Sequence, residues 1–314
     1  MFRAASIGFV PMRVIEMEAR SALVKSGLGG VDYVVNPYTG CRFGCAYCYA
    51  TFMSRYVSEP IEEWGEYVYV KRNIVELFER ELARMKPERR TRSIFISSVT
   101  DPYQGAEAKY KLTRGVMAAL AREQYPGPVA VLTKSPMLLR DIDLFRELPD
   151  FEAGLTVTSG EDEISRWLEA HAPPPLKRIE ALRVLNEAGI RTYAFVGPLV
   201  PHFVERPELL EDLFARLAGA GVRRVYVEHL NAKGYIRKRL DAVVARQPEL
   251  VRAAYAEART REHRARLEQI VSELIDRHGM ELRLGAVIDH PENCLLYTSP
   301  SPRDRTRYRM PSSA

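Results

Sequence analysis

Three of the chain's four cysteines lie within eight positions of one another. Cys41, Cys45 and Cys48 form a C-x3-C-x2-C pattern inside the segment NPYTGCRFGCAYCYA, residues 36–50. Thiolates bind soft metal ions and iron–sulfur clusters. Three thiolates on one short loop can bind three irons of a cubane cluster, and the fourth iron then keeps an open position. The pattern therefore predicts a metal site with one coordination position available to another molecule.

Other uses of these thiols explain the pattern less completely. A structural zinc ion normally has four protein ligands, and the loop offers neither a fourth cysteine nor a nearby histidine. A redox pair of Cys45 and Cys48 would leave Cys41 without a role. Zinc with a distant fourth ligand, and buried thiols without any metal, remain the alternatives to an iron–sulfur cluster.

The composition is that of a globular protein outside the membrane. Hydrophobic residues make up 46% of the chain and charged residues 28%, both ordinary values for such proteins. No apolar run approaches the roughly 18–20 residues that span a bilayer. The N-terminal segment MFRAASIGFVPMRVIEMEAR lacks the continuous apolar core of a secretory signal. We therefore expect a cytoplasmic protein with no membrane partner, in a compartment where disulfides are rare.

The end of the chain has the character of a translated sequencing adaptor rather than of a native tail. The segment CLLYTSPSPRD, residues 294–304, corresponds codon by codon to a transposon-type adaptor, and RMPSSA, residues 309–314, matches the same kind of sequence. We expect residues 294–314 to be foreign to the native protein. Removing them, with four arginines and one aspartate, lowers the net charge from +5 to +2. A charge this small does not indicate a nucleic-acid partner.

Short apolar segments alternate with segments of helical periodicity along most of the chain. The apolar segments are apolar almost throughout, as strands covered on both faces should be. They are residues 33–35, 93–97, 128–132, 152–157, 191–196 and 223–228, with 280–288 as a further candidate. Repeated strand–helix units imply parallel strands joined by right-handed crossovers. The sequence therefore predicts an α/β fold, a partial or full (β/α) TIM-type barrel.

Small or polar residues follow nearly every predicted strand. In a (β/α) barrel the carboxyl ends of the strands form the active site. The residues at these ends are Thr100, Asp101, Thr133, Lys134, Ser135, Thr158, Ser159, Gly197, Pro198, Glu228, His229 and Asn231. Each has another explanation when taken singly, because Thr, Ser and Asp also cap helices. Together with the cysteine loop after the first strand, they predict one site at this end of the barrel.

The segment GCRFGCAYCYA resembles the cluster motif of the radical S-adenosylmethionine (radical SAM) enzymes. In that motif an aromatic residue precedes the last cysteine, as Tyr47 does here. The segments SSVTDPYQGAE, LTKSPMLLRDIDL and LNEAGIRTYAFVGPLVP are similar to the branch that contains spore photoproduct lyase, also labelled DNA repair photolyase-like. The similarity extends over about residues 20–235. It implies an N-terminal extension at 1–30, a radical SAM barrel at 31–235 and a truncated helical part at 236–293.

The resemblance implies a cofactor pair and a reaction. Cys41, Cys45 and Cys48 would bind a [4Fe–4S] cluster whose open iron takes the amino and carboxylate groups of SAM. Reductive cleavage of SAM would give methionine and a 5′-deoxyadenosyl radical that abstracts hydrogen from a substrate. An electron donor such as flavodoxin or ferredoxin would be required. Nucleic acid, as the branch name suggests, a small molecule and a peptide are the candidate substrates, and a non-catalytic iron–sulfur protein for electron transfer or sensing is the alternative function.

The resemblance also implies which residues contact SAM. By position, Ser98, Thr100 and Asp101 would lie at the SAM amino group. The ribose or the carboxylate would be held by Thr156, Thr158 and Ser159. The turn that begins at Gly197 would flank the adenine. Lys134 and Arg140 either meet the SAM carboxylate or a phosphate, or are solvated surface charges.

The branch containing spore photoproduct lyase uses a further cysteine as a hydrogen-atom donor. Residues 1–293 contain no cysteine outside the loop. We therefore expect no repair of spore photoproduct by the usual thiol-assisted route; a tyrosine in place of the thiol, and a thiol in a native C-terminal segment replaced by the adaptor, are the alternatives. Trp167 is expected to be a core residue rather than a platform for stacking a base.

Overall fold

The computed structural model describes residues 12–231 and 233–289. The proposed adaptor segment at 294–314 lies outside these residues. The described strands are β1 Arg13–Met17, β2 Val24–Lys25, β3 Tyr33–Val35, β4 Tyr38–Thr39, β5 Tyr67–Lys71, β6 Ile94–Ile96, β7 Val129–Thr133, β8 Phe151–Thr156, β9 Thr192–Val196, β10 Arg224–Val227 and β11 Glu281–Leu282.

Eight of these strands form one sheet in the order β11-β10-β9-β8-β7-β6-β3-β2. All neighbours are parallel except β2, which runs antiparallel to β3. The two outer strands do not pair with each other among the described residues, so the sheet is an open, partial barrel. The α/β prediction is confirmed, and of its two forms the partial barrel is the one observed.

Helices cover the outer face of this sheet. They are α1 Ile74–Ala83, α2 Gly105–Tyr110, α3 Leu112–Arg122, α4 Ile142–Arg146, α5 Asp162–Leu168, α6 Pro175–Glu187, α7 Pro207–Gly219, α8 Gly234–Val244, α9 Glu249–Glu257 and α10 Arg261–Arg277. Each long helix buries the apolar stripe that its periodicity predicts: Leu213 and Leu217 of α7, for example, are fully buried. Burying such stripes against the apolar strands forms the main core of the protein.

A second, three-stranded sheet was not predicted from the sequence. Its order is β1-β5-β4, with β1 parallel and β4 antiparallel to β5. The sheet matters for function because the cysteine loop begins directly after β4 and packs against β5.

The predicted last strand at 280–288 is interrupted. Only β11 pairs with β10, and a 3-10 turn follows at Arg283–Gly285. Leu284 in this turn has a positive φ of 69°, which is incompatible with an extended strand. The chain returns to the sheet at Ile288, which forms a bridge with Glu228. In the described part of the chain, no helix is both long and apolar enough to cross a membrane.

Candidate functional site

The cysteine loop makes its first turn where only glycine fits. Gly40 has φ +84°, and a Cβ atom there would lie 2.6 Å from the carbonyl oxygen of Tyr67. Further on, Gly44 has φ +62° and packs against Gly65, whose own Cβ would lie 2.9 Å from the Gly44 Cα. These contacts seat the loop directly on the end of the small sheet.

The three thiols occupy an apolar environment. Cys41 and Cys45 are buried, Cys48 is half-buried, and all three are free. Burial raises the pKa of each thiol, that of Cys45 to about 12. A neutral thiol is a poor ligand, so this pocket favours thiolates only when a cation offsets the desolvation of their charge.

Thr100 and Gln104 fasten the loop to the end of β6. The Thr100 hydroxyl donates to the carbonyl oxygen of Gly40 at 2.6 Å. The amide of Gln104, a fully buried residue, donates to the same carbonyl at 3.1 Å and accepts from the backbone N–H of Arg42 at 2.9 Å. Thr100 therefore positions the cysteine loop itself, a role that its place at a strand end did not reveal.

Helix α8 fastens the other side of the loop. The Arg239 guanidinium donates to the carbonyl oxygens of Gly44 at 3.3 Å and Trp64 at 3.0 Å, and to those of Ile61 at 2.9 Å and Glu62 at 3.0 Å. Tyr235, one turn earlier, donates to the carbonyl oxygen of Tyr49. Both contacts come from α8, which begins at Gly234, next to residue 235, the predicted end of the barrel.

A buried polar network lies behind Cys45. The Tyr47 hydroxyl donates to the Glu169 carboxylate and lies 3.2 Å from the Thr158 hydroxyl. Glu169 is paired with Arg178, and neither side chain is exposed to solvent. Burial alone would raise the pKa of Glu169, but the charges of Arg178 and Lys134 outweigh it and hold that pKa at about 2. Glu169 and Arg178 have no sequence signature, because they meet only through the fold.

Asp101 joins the ends of two strands. Its carboxylate accepts from the Thr133 hydroxyl at 2.6 Å, from the Lys134 backbone N–H at 2.8 Å and from the Tyr103 backbone N–H at 2.9 Å. Burial raises its pKa, and these hydrogen bonds oppose the rise. The ammonium of Lys134 lies 3.9 Å from Glu169 and 5.6 Å from the centre of the Tyr47 ring.

A cavity of about 600 Å³ connects these groups. Its walls include all three cysteines and most of the residues predicted to contact SAM. Those residues are Tyr47, Ser98, Thr100, Asp101, Thr156 and Gly197. Lys134 also lines the cavity, as do Tyr49, Lys233 and Tyr235, which were not predicted.

Three residues considered from the sequence lie behind the cavity wall or away from it. Thr158 is fully buried and within hydrogen-bond distance of Tyr47, Glu169 and the Gly197 carbonyl. Ser159 accepts from the backbone N–H of Glu161 in a local turn. Arg140 is neither a cavity residue nor a solvated charge, because it binds the buried carboxylates of Glu107 and Asp141.

Trp167, His202 and His229 pack into the protein interior and do not line the cavity. Trp167 packs against Tyr255 with the ring centres 5.8 Å apart, in agreement with its expected core role. His229 is buried and lies 2.8 Å from Glu268. Burial lowers the pKa of His202 to about 4, so this side chain is neutral near pH 7.

The donor set fits an iron–sulfur cluster. The indole N–H of Trp64 is buried and has no oxygen or nitrogen acceptor among the described residues; it faces the Cys48 thiol, where it partly opposes the rise in pKa that burial causes. Such a donor stabilises thiolate or sulfide sulfur. Within residues 12–231 and 233–289, no three His, Cys, Asp or Glu side chains are placed to share one metal ion. A cubane cluster tolerates wider spacing, since each thiolate binds a different iron.

This chain belongs to the radical SAM superfamily, whose sequence profile matches residues 35–213. An uncharacterised protein of Methanocaldococcus jannaschii is 34% identical over 194 residues, which are 62% of this chain and 70% of that protein. Another, of Mycobacterium tuberculosis, is 32% identical over 224 residues, 70% of this chain and 65% of that protein. The family resemblance predicted from the cysteine motif is confirmed.

Solved structures share the fold at low sequence identity. Spore photoproduct lyase complexed with dinucleoside spore photoproduct has a TM-score of 0.63 and 15% identity, over 86% of this chain and 81% of that one. A spore photoproduct lyase variant with bound AdoMet has a TM-score of 0.63 and 16% sequence identity, over 86% of this chain and 81% of that one. Superfamily membership supports a radical-based reaction that uses SAM, and the solved structures add the shared fold.

Proposed function

We propose that this chain is a radical SAM enzyme in which Cys41, Cys45 and Cys48 hold a [4Fe–4S] cluster and the adjoining cavity holds SAM. When bound, the cluster supplies the electron that cleaves SAM to methionine and a 5′-deoxyadenosyl radical, which takes a hydrogen atom from the substrate. The observation that carries the proposal is the cavity itself. The three thiols and the polar ends of the parallel strands face one continuous space.

Lys134 is the residue best placed to bind the SAM carboxylate. Its ammonium is largely buried, faces the cavity and lies close to Cys45. A cation here balances the negative charge of a thiolate-bound cluster as well as that of the ligand. The 3.9 Å separation from Glu169 leaves its N–H donors available to a carboxylate in the cavity.

The surrounding residues fix the loop and keep water out. Gln104 and Arg239 bind the loop backbone next to Cys41 and Cys45, at Arg42 and Gly44, so that this part of the loop is held in place before the cluster binds. Phe43, Trp64 and Tyr67 bury the thiols. Such preorganisation and exclusion of water protect a reactive radical.

Anaerobic reconstitution tests the site. We expect about four irons per chain, with the absorption of thiolate-to-iron charge transfer. Replacing any one of Cys41, Cys45 or Cys48 by Ala should abolish SAM cleavage, whereas Lys134→Met should retain the iron and weaken SAM binding. About one zinc per chain without iron uptake would instead support a structural metal site.

We also propose an external one-electron donor such as flavodoxin or ferredoxin, and a reaction other than thiol-assisted repair of spore photoproduct. No cysteine outside the loop lines the cavity within the described residues. Incubation with dinucleoside spore photoproduct should give little thymine product. Efficient, by-product-free conversion to two thymines would refute this part of the proposal.

A further inference from the structure

The cavity does not end at the cysteines but continues through the interior of the barrel. Its walls run from the cysteine loop, past the middle of the strands, to Arg224 and Glu152 at the opposite end. In a closed (β/α) barrel, layers of side chains fill this interior. Here much of it is open, and its volume lies within the range of ligand sites.

Aromatic rings form the middle of the channel. Tyr193 and Tyr226 pack edge to face with their centres 5.3 Å apart, and Phe195 stacks on Tyr226 at 6.1 Å. The Tyr193 hydroxyl donates to the carbonyl oxygen of Val131. Its ring occupies the place of a side chain at Gly154, where a Cβ atom would lie 2.1 Å away. These rings are therefore held in place, and together they give the middle of the channel an aromatic wall that suits a ring-bearing ligand.

Two guanidinium groups stand at the far end of the channel and share one carboxylate. Arg224 lies 2.8 Å from Glu152, and Arg283 binds both oxygens of Glu152 at 3.1 and 3.0 Å. Arg283 also lies over the Tyr226 ring, 5.0 Å from its centre. Two cations with one anion leave a net positive charge. Each guanidinium has five N–H donors, so donors remain beyond those that Glu152 uses.

Other charges at this end largely cancel. Arg191 is paired with Asp150, and both line the channel. Glu281, on the neighbouring strand, acts on Arg283 through its charge but is exposed to solvent and outside the channel wall. The excess positive charge inside the channel is therefore that of the Arg224 and Arg283 pair.

The length of the channel limits the ligand. Arg224 and Glu228 face it from the two ends of one strand, four residues apart. At about 3.3 Å per residue, this is a span of about 13 Å. A molecule anchored at Arg224 and Arg283 would reach the level of Glu228 and the cysteine loop only if it were elongated.

We propose that the substrate lies lengthwise in this channel, with a planar ring against Tyr193 and Tyr226 and an anionic group on Arg224 and Arg283. This inference rests on the proposed function in one respect: the bound ligand is a substrate only if the chain is a radical SAM enzyme. The ligand class is a small aromatic or heteroaromatic molecule with a terminal carboxylate or phosphate. The carbon that loses hydrogen lies at the opposite end, toward the cysteines.

Binding of matched probes tests the channel without any SAM chemistry. The probes are 2-naphthoate, the uncharged 2-naphthamide and 2-naphthyl phosphate, titrated by naphthalene fluorescence into the full chain with and without its cluster. We expect the carboxylate or the phosphate to bind at least about tenfold more tightly than the amide, because only the anion gains charge-assisted hydrogen bonds. The better of the two anions identifies the natural anionic group. Equal affinity of all three probes would overturn the proposal.

Variants test the position of the anion. Arg224→Gln and Arg283→Gln should each weaken 2-naphthoate binding about tenfold, whereas Glu152→Gln should strengthen it by freeing donors. Arg216→Gln, an exposed arginine on α7, is the matched control and should bind like the unmodified chain. Unchanged affinity in both arginine variants, with native circular dichroism, would refute the site. If the arginine variants fail to fold, the relative affinities of the unmodified chain for 2-naphthoate and 2-naphthamide still test the proposal.

The two proposals fail separately. Tight anion binding by a chain that takes up iron yet never cleaves SAM would contradict the proposed function and leave the channel site standing. Active SAM cleavage by a chain that does not distinguish 2-naphthoate from 2-naphthamide would contradict only the channel site.

Discussion

Glu169 and Arg178 form an ion pair that is completely withdrawn from solvent, directly behind Tyr47 of the cysteine motif. Arg178 also donates to the carbonyl oxygens of Thr156 and Pro173. The pair therefore links α6 to the end of β8 and to the cysteine loop. Because both charges are buried, each depends on the other.

Removing one member of this pair should destabilise the fold strongly. We expect Glu169→Gln or Arg178→Met to lower the free energy of unfolding by about 3–5 kcal/mol, the typical result of leaving one buried charge unpaired. The double variant should lose less than the sum of the two. Urea unfolding of the cluster-free chain measures this. Arg183→Met, which breaks only exposed pairs, serves as the control and should change stability little.

The same pair predicts a pH dependence of stability. The pKa of Glu169 is about 2 in the folded chain, below its ordinary value of 4.5, because Arg178 and Lys134 outweigh the effect of burial. Its contribution to stability is therefore fully present above pH 4.5 and is lost as the pH falls toward 2. Urea unfolding at several pH values should show this fall, and Glu169→Gln should show a shallower one. Equal slopes for both proteins would contradict the assignment.

Arg239 is expected to act as a positioning residue for the cysteine loop. Arg239→Gln removes hydrogen bonds to four carbonyl oxygens around the loop. Iodoacetamide should then alkylate the thiols of the cluster-free chain roughly tenfold faster, since local opening becomes easier. Reconstituted iron should also be lost more quickly. Arg237→Gln, on the exposed face of the same helix, is the matched control.

An unchanged alkylation rate in Arg239→Gln would show that Gln104 and the glycine contacts hold the loop unaided. A uniform rise in both arginine variants would point to a general loosening of α8 rather than to the loop contacts.

The local features of the site could be predicted from the sequence, whereas its long-range contacts could not. The prediction of a metal site depends only on the spacing of Cys41, Cys45 and Cys48, which lie within eight residues. The central strands were predicted from continuous apolar runs. Glu169, Arg178 and Arg239 look like ordinary charged residues in or next to surface helices. Their roles depend on partners many residues away, which no local periodicity encodes.

Strand-end position predicted the neighbourhood of a residue better than its role. Asp101 and Thr100 do stand at the cavity, but their side chains are engaged in joining strand ends and holding the loop. Arg140 illustrates the same limit, because Glu107, one of its two buried carboxylate partners, comes from another part of the chain. The second sheet was missed because β4 has only two residues and because β1, with the sequence RVIEM, lacks the continuous apolar run by which the central strands were recognised.

Reductive cleavage of SAM tests the central claim most directly. The reconstituted chain is reduced with dithionite under anaerobic conditions, and 5′-deoxyadenosine and methionine are quantified by liquid chromatography and mass spectrometry. We expect both products from the unmodified chain, in equal amounts, and neither from the variant with Cys41, Cys45 and Cys48 all replaced by Ala. Formation of 5′-deoxyadenosine by that triple variant would contradict the account. So would a fully loaded four-iron chain that never cleaves SAM, a result that would favour an electron-transfer or sensing protein.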